Sequence, residues 1–141
     1  MRIVDTVYLV AYFRSSDRLH GDAIRVIEGL GGDTVVSQAA LLEFDLLMKA
    51  RGFSDDERRK VWLVLHRFIS RETVEPVTPL DMAVAAVIIA SYGLDYFDAL
   101  VAAQCVVRGA EPLTTDKEIL GVVSRRGEVL SELERYGIVL P

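Results

Sequence analysis

Four acidic side chains stand where a chain of alternating strands and helices would gather them. Asp5 follows the stretch Arg2-Ile-Val4, Asp116 follows Glu111–Thr115, Asp98 opens an apolar helical stretch, and Glu43 lies within another. Carboxylates brought together repel one another, and a divalent cation relieves that repulsion. An oxygen-only set with no His or Cys suits Mg²⁺ or Mn²⁺. The chemistry such a site serves is phosphodiester hydrolysis, in which one or two metals polarise the phosphoryl oxygen and activate a bound water, so no side-chain nucleophile is required.

Each acid also has a plain structural reading. Asp5 can cap the helix that follows it. In Asp95-Tyr-Phe-Asp98, Asp95 is the expected cap and Asp98 a first-turn acid favoured by the helix dipole. Thr115-Asp-Lys-Glu118 fits a capping box with Thr115 as the cap, which leaves Asp116 free of that duty. On a helical wheel Glu43 falls inside the arc of Ala40, Phe44, Leu47, Met48 and Ala50, whereas Asp45 falls outside it and can be solvated. A carboxylate in an apolar arc needs a metal or an arginine partner.

The elements that must position these acids are punctuated by Gly31-Gly32, Gly52, Gly93 and Gly109. Short β-branched or apolar runs at 2–4, 34–36, 73–77, 111–115 and 138–140 read as strands. Helices are expected at 6–14, 17–30, 38–50, 54–71, 79–92, 96–108, from Asp116, and at 128–136. Short apolar strands separated by helices imply a parallel sheet covered on both faces, with ligands outside its carboxyl edge.

Composition bounds the rest. The 141 residues fit one domain, 1–141. Hydrophobic residues make up 51% and mean hydropathy is +0.29, which excludes a disordered chain and leaves apolar surface for a partner. A single cysteine excludes an internal disulfide and a Cys-rich zinc site, and Cys105 reads as a buried, inert thiol. His20 and His66 have no second ligand at helical spacing. There is no G-x-S-x-G, no G-x-x-x-x-G-K and no G-x-G-x-x-G. The longest apolar run, Met82 to Ala90, has nine residues, too short to span a bilayer. With no signal-peptide pattern, a cytoplasmic location is the expectation.

Strand-Asp5-Thr6, Ser37-x5-Glu43, Gly93-Leu-x-x-x-Asp98-Ala-Leu-x-x-Ala-Ala and Leu113-Thr114-Thr115-Asp116 occur in the order and context of the PIN-domain family. The chain resembles that family over almost its whole length, and most of all the toxin ribonucleases of VapC type from type II toxin–antitoxin pairs. The resemblance implies a three-layer α/β/α fold with a central, mainly parallel five-stranded sheet. It implies a Mg²⁺- or Mn²⁺-dependent endoribonuclease acting on single-stranded RNA, with metal binding and catalysis by Asp5, Glu43, Asp98 and Asp116. Support would come from the hydroxyls of Thr6, Thr114 and Thr115. A homodimer and a silencing antitoxin protein follow from the same likeness. Two positions depart from the family pattern: Val7 stands where Asn or Ser is usual, and Lys117-Glu118 follows Asp116 where a second Asp or Asn is usual. They carry the alternative of a catalytically weak or inactive PIN-fold module that binds RNA or a protein partner.

Net charge is −5, and the 16 cations are mostly arginine, whose forks bind phosphate bidentately. Arg51 is a candidate RNA contact. Arg58-Arg59-Lys60 reads first as a solvated helix start beside Asp55, Asp56 and Glu57. Trp62, Leu65 and Phe68 offer an apolar stripe, either as core or as a partner surface with Trp62 as anchor. A phosphoacceptor receiver fold also gathers acids at strand ends, but Val36-Ser37 ends the second strand without one.

Overall fold

The computed structural model describes residues 1–141. Its centre is a four-stranded sheet of β1 (Arg2–Val4), β2 (Thr34–Ser37), β3 (Val74–Glu75) and β4 (Glu111–Leu113), in the order β3-β2-β1-β4. All three pairings are parallel, with Ile3 opposite Val35 and Pro112. Alternation along the strands divides the core. Val4 and Val36 face α1 (Thr6–Tyr12), α2 (His20–Glu28), α3 (Gln38–Ala50) and α4 (Asp55–Leu65). Ile3 and Val35 face Cys105 on α6 (Tyr96–Arg108). Behind α6, α5 (Pro79–Tyr92), α7 (Lys117–Ser124) and α8 (Arg126–Arg135) complete the third layer around the largest apolar cluster.

The sheet has four strands, not the expected five. Past α8, Gly137 adopts a positive φ of 79°, and Ile138 N–H donates back to the Leu133 carbonyl. Ile138 and Leu140 then pack side chains against the helical cluster, so the tail buries its apolar groups without pairing at the β4 edge. Other boundaries also move. β4 stops at Leu113 because Thr114 Oγ1 turns the chain by accepting from Asp116 N–H at 3.0 Å. α2 starts at His20 rather than Asp17, whose Oδ1 takes the Leu19 N–H at 2.8 Å in a turn of its own. α4 ends at Leu65, well before Arg71.

A polar spine ties the sheet to α5 and α6. Ser37 Oγ donates to Gln104 Oε1 at 2.6 Å, and Gln104 Nε2 donates to the carbonyls of Glu75 and Pro76, each at 3.1 Å. One turn on, Arg108 donates to Glu75 at 2.8 Å and to both oxygens of Asp81 at 2.7 and 2.8 Å. Asp81 is fully buried, so removing Arg108 strands a charge inside the protein. Arg108→Ala is expected to lower stability by about 3 kcal/mol or more, read as a shift in the urea midpoint at unchanged slope.

Candidate metal centre

In the order β3-β2-β1-β4 the chain leaves β1 to one side for β2 and β3 and returns to its other side for β4, so a crevice opens at the carboxyl end of β1. Asp5 is the first residue past β1, and its N–H donates to the Leu113 carbonyl at the end of β4 at 3.0 Å. Its side chain is 2% exposed. It stands at the N-cap position of α1 but makes no side-chain cap, so capping is not its role. Instead Oδ2 accepts from Thr114 Oγ1 at 2.7 Å, and Oδ1 is buried without a hydrogen bond of good geometry. An unpartnered buried carboxylate oxygen is costly and calls for a ligand.

Glu43 reaches the same point from α3. Ser37 caps that helix by accepting from Ala39 N–H at 3.1 Å, and Thr6 Oγ1 donates to Glu43 Oε1 at 2.5 Å. Asp98 arrives from the first turn of α6, whose cap is Asp95, accepting from Asp98 N–H at 3.1 Å. One carboxylate oxygen from each of Asp5, Glu43 and Asp98 lies within 4.8 Å of the others, and Asp98, Asp116 and Glu118 form a second such group. Asp116 caps α7 itself, with Oδ1 accepting from Glu118 and Ile119 N–H at 2.8 and 3.0 Å. The expected Thr115 cap is therefore not formed, because the chain turns at Thr114 and starts the helix one residue later.

Electrostatics follow from crowding. Burial raises the Asp5 carboxyl above the usual range; the Thr114 and Thr6 contacts oppose this and the charge of Asp116 adds to it. Glu43 is raised by burial, against the Thr6 hydrogen bond and with the charges of Asp5, Asp95 and Asp116. Asp98 is pushed up to about 8, first by burial and then by Asp116, Asp95 and Asp5. No arginine pairs with any of these acids. The donor set is all oxygen, it is short of positive charge, and it contains an orphaned buried atom, so the cluster fits a metal ion.

The acids line a cleft of about 700 Å³. Thr6, Thr115 and Val7 line it too, and so do Arg14 and Arg18, which sequence reasoning missed. A signal for Arg14 exists: Val7, Val10 and Arg14 follow one another at helical spacing, and all three face the cleft. Arg51 does not reach it and instead lines an apolar hollow beside it. Of the stripe Trp62, Leu65 and Phe68, Leu65 belongs to the core, while Trp62 and Phe68 are half-buried. Leu65 is 1% exposed and Phe68 packs on the same core. Trp62 lies edge-on to Phe44 and donates Nε1–H to Asp45 at 2.8 Å. Asp45, expected in solvent, also accepts from Arg58 at 3.0 and 2.6 Å. Arg59 and Lys60 pair with Asp56. Cys105 is buried, its thiol pushed up to about 12 by burial and then by Asp5.

The PIN domain family matches residues 2–124. The chain belongs to the PIN-domain family. Among solved structures, the crystal structure of Mycobacterium tuberculosis VapC20, described as a sarcin–ricin loop cleaving toxin, superposes with a TM-score of 0.63 at 21% identity, covering 86% of this chain and 94% of that one. At that identity the likeness speaks for the PIN fold itself. No curated protein matches this chain in sequence. No single helix of this PIN domain is long and apolar enough to cross a membrane.

Asp5, Glu43 and Asp98 hold their protons more tightly in the folded chain than unfolded carboxyls do. The folded state therefore binds the excess protons between the ordinary carboxyl range and about 8 at Asp98, and stability contributed by the cluster falls as pH rises through that window. Without divalent cations, the melting temperature of wild type is expected to decline more from about pH 5 to about pH 8 than that of Asp98→Asn. Parallel pH profiles of the two proteins would refute the crowding.

Proposed function

We propose that this PIN domain is a Mg²⁺- or Mn²⁺-dependent endoribonuclease that hydrolyses phosphodiester bonds in single-stranded RNA, and that it acts in the cytoplasm as the toxin of a toxin–antitoxin pair. Family membership supports nuclease chemistry. The observation that carries the metal dependence is Asp5 Oδ1, a buried carboxylate oxygen with no hydrogen-bond partner beside two further carboxylates. A bound Mg²⁺ or Mn²⁺ would polarise a phosphoryl oxygen and supply a water acidic enough to attack near neutral pH.

The chain's own residues prepare that site. Asp5, Glu43, Asp98 and Asp116 would hold the cation. Thr114 and Thr6 each occupy one oxygen of a neighbouring carboxylate, which fixes its rotation and directs the other oxygen to the cluster. The N–H groups of Glu118 and Ile119 hold Asp116 in the same way. Arg14 and Arg18 stand at the cleft without a carboxylate partner and can take flanking phosphates. The toxin reading rests on the shared fold with VapC20. Leu42 and Leu46, four apart on α3 and 54% and 50% exposed, offer apolar surface for an antitoxin or a second copy.

A weak or inactive RNA- or protein-binding module is the second reading, favoured by Val7, an apolar residue on the cleft wall. One experiment separates the two. Single-stranded RNA incubated with wild type and Mn²⁺ is expected to be cut, with activity lost in EDTA and in Asp5→Asn. Thr114→Val is expected to weaken the Mn²⁺ requirement curve by about tenfold to a hundredfold, with recovery in Thr114→Ser. Cleavage that survives EDTA or Asp5→Asn overturns the mechanism, and RNA that is bound but left intact across metals and pH favours the second reading.

A further inference from the structure

Beside the acidic cleft lies a separate apolar hollow of about 130 Å³. The two share Val10, Arg14 and Leu47 as walls. Two aromatic rings stand at the hollow while still open to solvent: Phe13, 41% exposed, and Phe53, 40% exposed. Phe13 is backed by Phe44, stacked at 6.0 Å with an interplanar angle of 16°, so it is presented on a fixed support.

The arginines around it are unusual for this chain. Most of its arginines are occupied by a carboxylate, a carbonyl, a hydroxyl or an aromatic ring. Four have none of these partners: Arg71, which lies elsewhere, and Arg14, Arg18 and Arg51. Arg14 and Arg51 line the hollow, and Arg14 and Arg18 line the cleft. Unpaired guanidinium groups next to exposed rings are what a single nucleic-acid strand needs: charge for the backbone and a stacking face for the base.

We propose that this hollow is a nucleobase subsite, taking a base of the single-stranded RNA next to the bond presented to the acidic cleft, with Arg14 on the phosphate between them. The inference rests on the ribonuclease reading above and names where its substrate is gripped. A recognition helix would set several anchors along a groove, whereas the exposed rings here flank a single small hollow of about 130 Å³. Stacking on Phe13 and Phe53 tolerates any base, so the subsite adds affinity and fixes register without demanding a sequence.

The test measures binding of fluorophore-labelled single-stranded RNA to an Asp116→Asn parent, so that nothing is cut, with Phe53→Ala and Phe13→Ala made on the same background. Each aromatic variant is expected to bind about tenfold more weakly. Arg14→Gln is expected to flatten the salt dependence by about 0.7 in log–log slope, as loss of one phosphate contact requires. Replacing single bases by abasic sites should find one position whose loss costs the parent about tenfold and costs Phe53→Ala nothing further. That coupling would not arise if the ring were merely structural. Thermal melting of each variant checks the fold. Unchanged binding by both aromatic variants, or an abasic scan with no coupled position, while the parent binds RNA, overturns the subsite and leaves the ribonuclease reading intact. A parent that binds no single-stranded RNA overturns both. Loss of affinity on Phe53→Ala for a cationic helical peptide alone assigns the hollow to a protein partner and also overturns the proposal.

Discussion

Carboxylates that cannot all be ionised at once dominate this molecule. The fold buries two kinds of acid and treats them oppositely. Asp81, with no exposure, receives both prongs of Arg108, and its charge is matched inside the chain. Asp5, nearly as deep, receives one hydroxyl proton and nothing for its second oxygen. Glu43 and Asp98 then bring further negative charge to the same point. A protein that needed only stability would have supplied an arginine here as it did at Asp81, since a buried charge without a partner costs several kcal/mol. The imbalance fits a counter-charge supplied from outside the chain.

The sheet topology makes that imbalance possible. Parallel pairing of β1 with β2 on one side and β4 on the other directs the chain ends after β1 and β4 to one edge, so Asp5 and Asp116 approach although 111 positions separate them. Helix caps do the remaining work. Ser37 starts α3 one turn and a half before Glu43, and Asp95 starts α6 so that Asp98 falls in its first turn. Local rules of helix initiation thus aim side chains at a point defined by long-range strand pairing.

Those local rules are why much of the site was legible in the sequence. Strand ends, caps and glycine stops are written within a few residues, and so the order of elements and the neighbourhood of Asp5, Glu43, Asp98 and Asp116 could be read from them. What was not legible depended on tertiary competition. The run Ile138–Leu140 has the composition of a strand, but whether it pairs or packs is decided by the helical cluster it meets. Asp116 rather than Thr115 caps α7 because Thr114 Oγ1 is already committed to both Asp5 and the Asp116 amide. That the indole nitrogen of Trp62 is held by Asp45, 17 positions earlier, is likewise visible only in the packed chain. Arg14 and Arg18 were missed because their meaning lies in having no partner, which only the packed chain reveals.

Overall charge misleads for the same reason. At −5 the chain looks ill-suited to a polyanion, since non-specific nucleic-acid binding rests on phosphate neutralisation. Yet Debye screening confines each charge to its own neighbourhood of about 8–10 Å, so the sum matters less than the placement. Asp22, Asp56 and Glu132 are answered by Arg25, Arg59 and Arg135 on the same helices and contribute little field. Unpaired acids crowd one cleft, where a cation would neutralise them, and arginines without a carboxylate partner line that cleft and the hollow next to it. Once the cleft acids are offset, the surface a single strand would meet is cationic and aromatic, and the acidic isoelectric point stops being an argument against it.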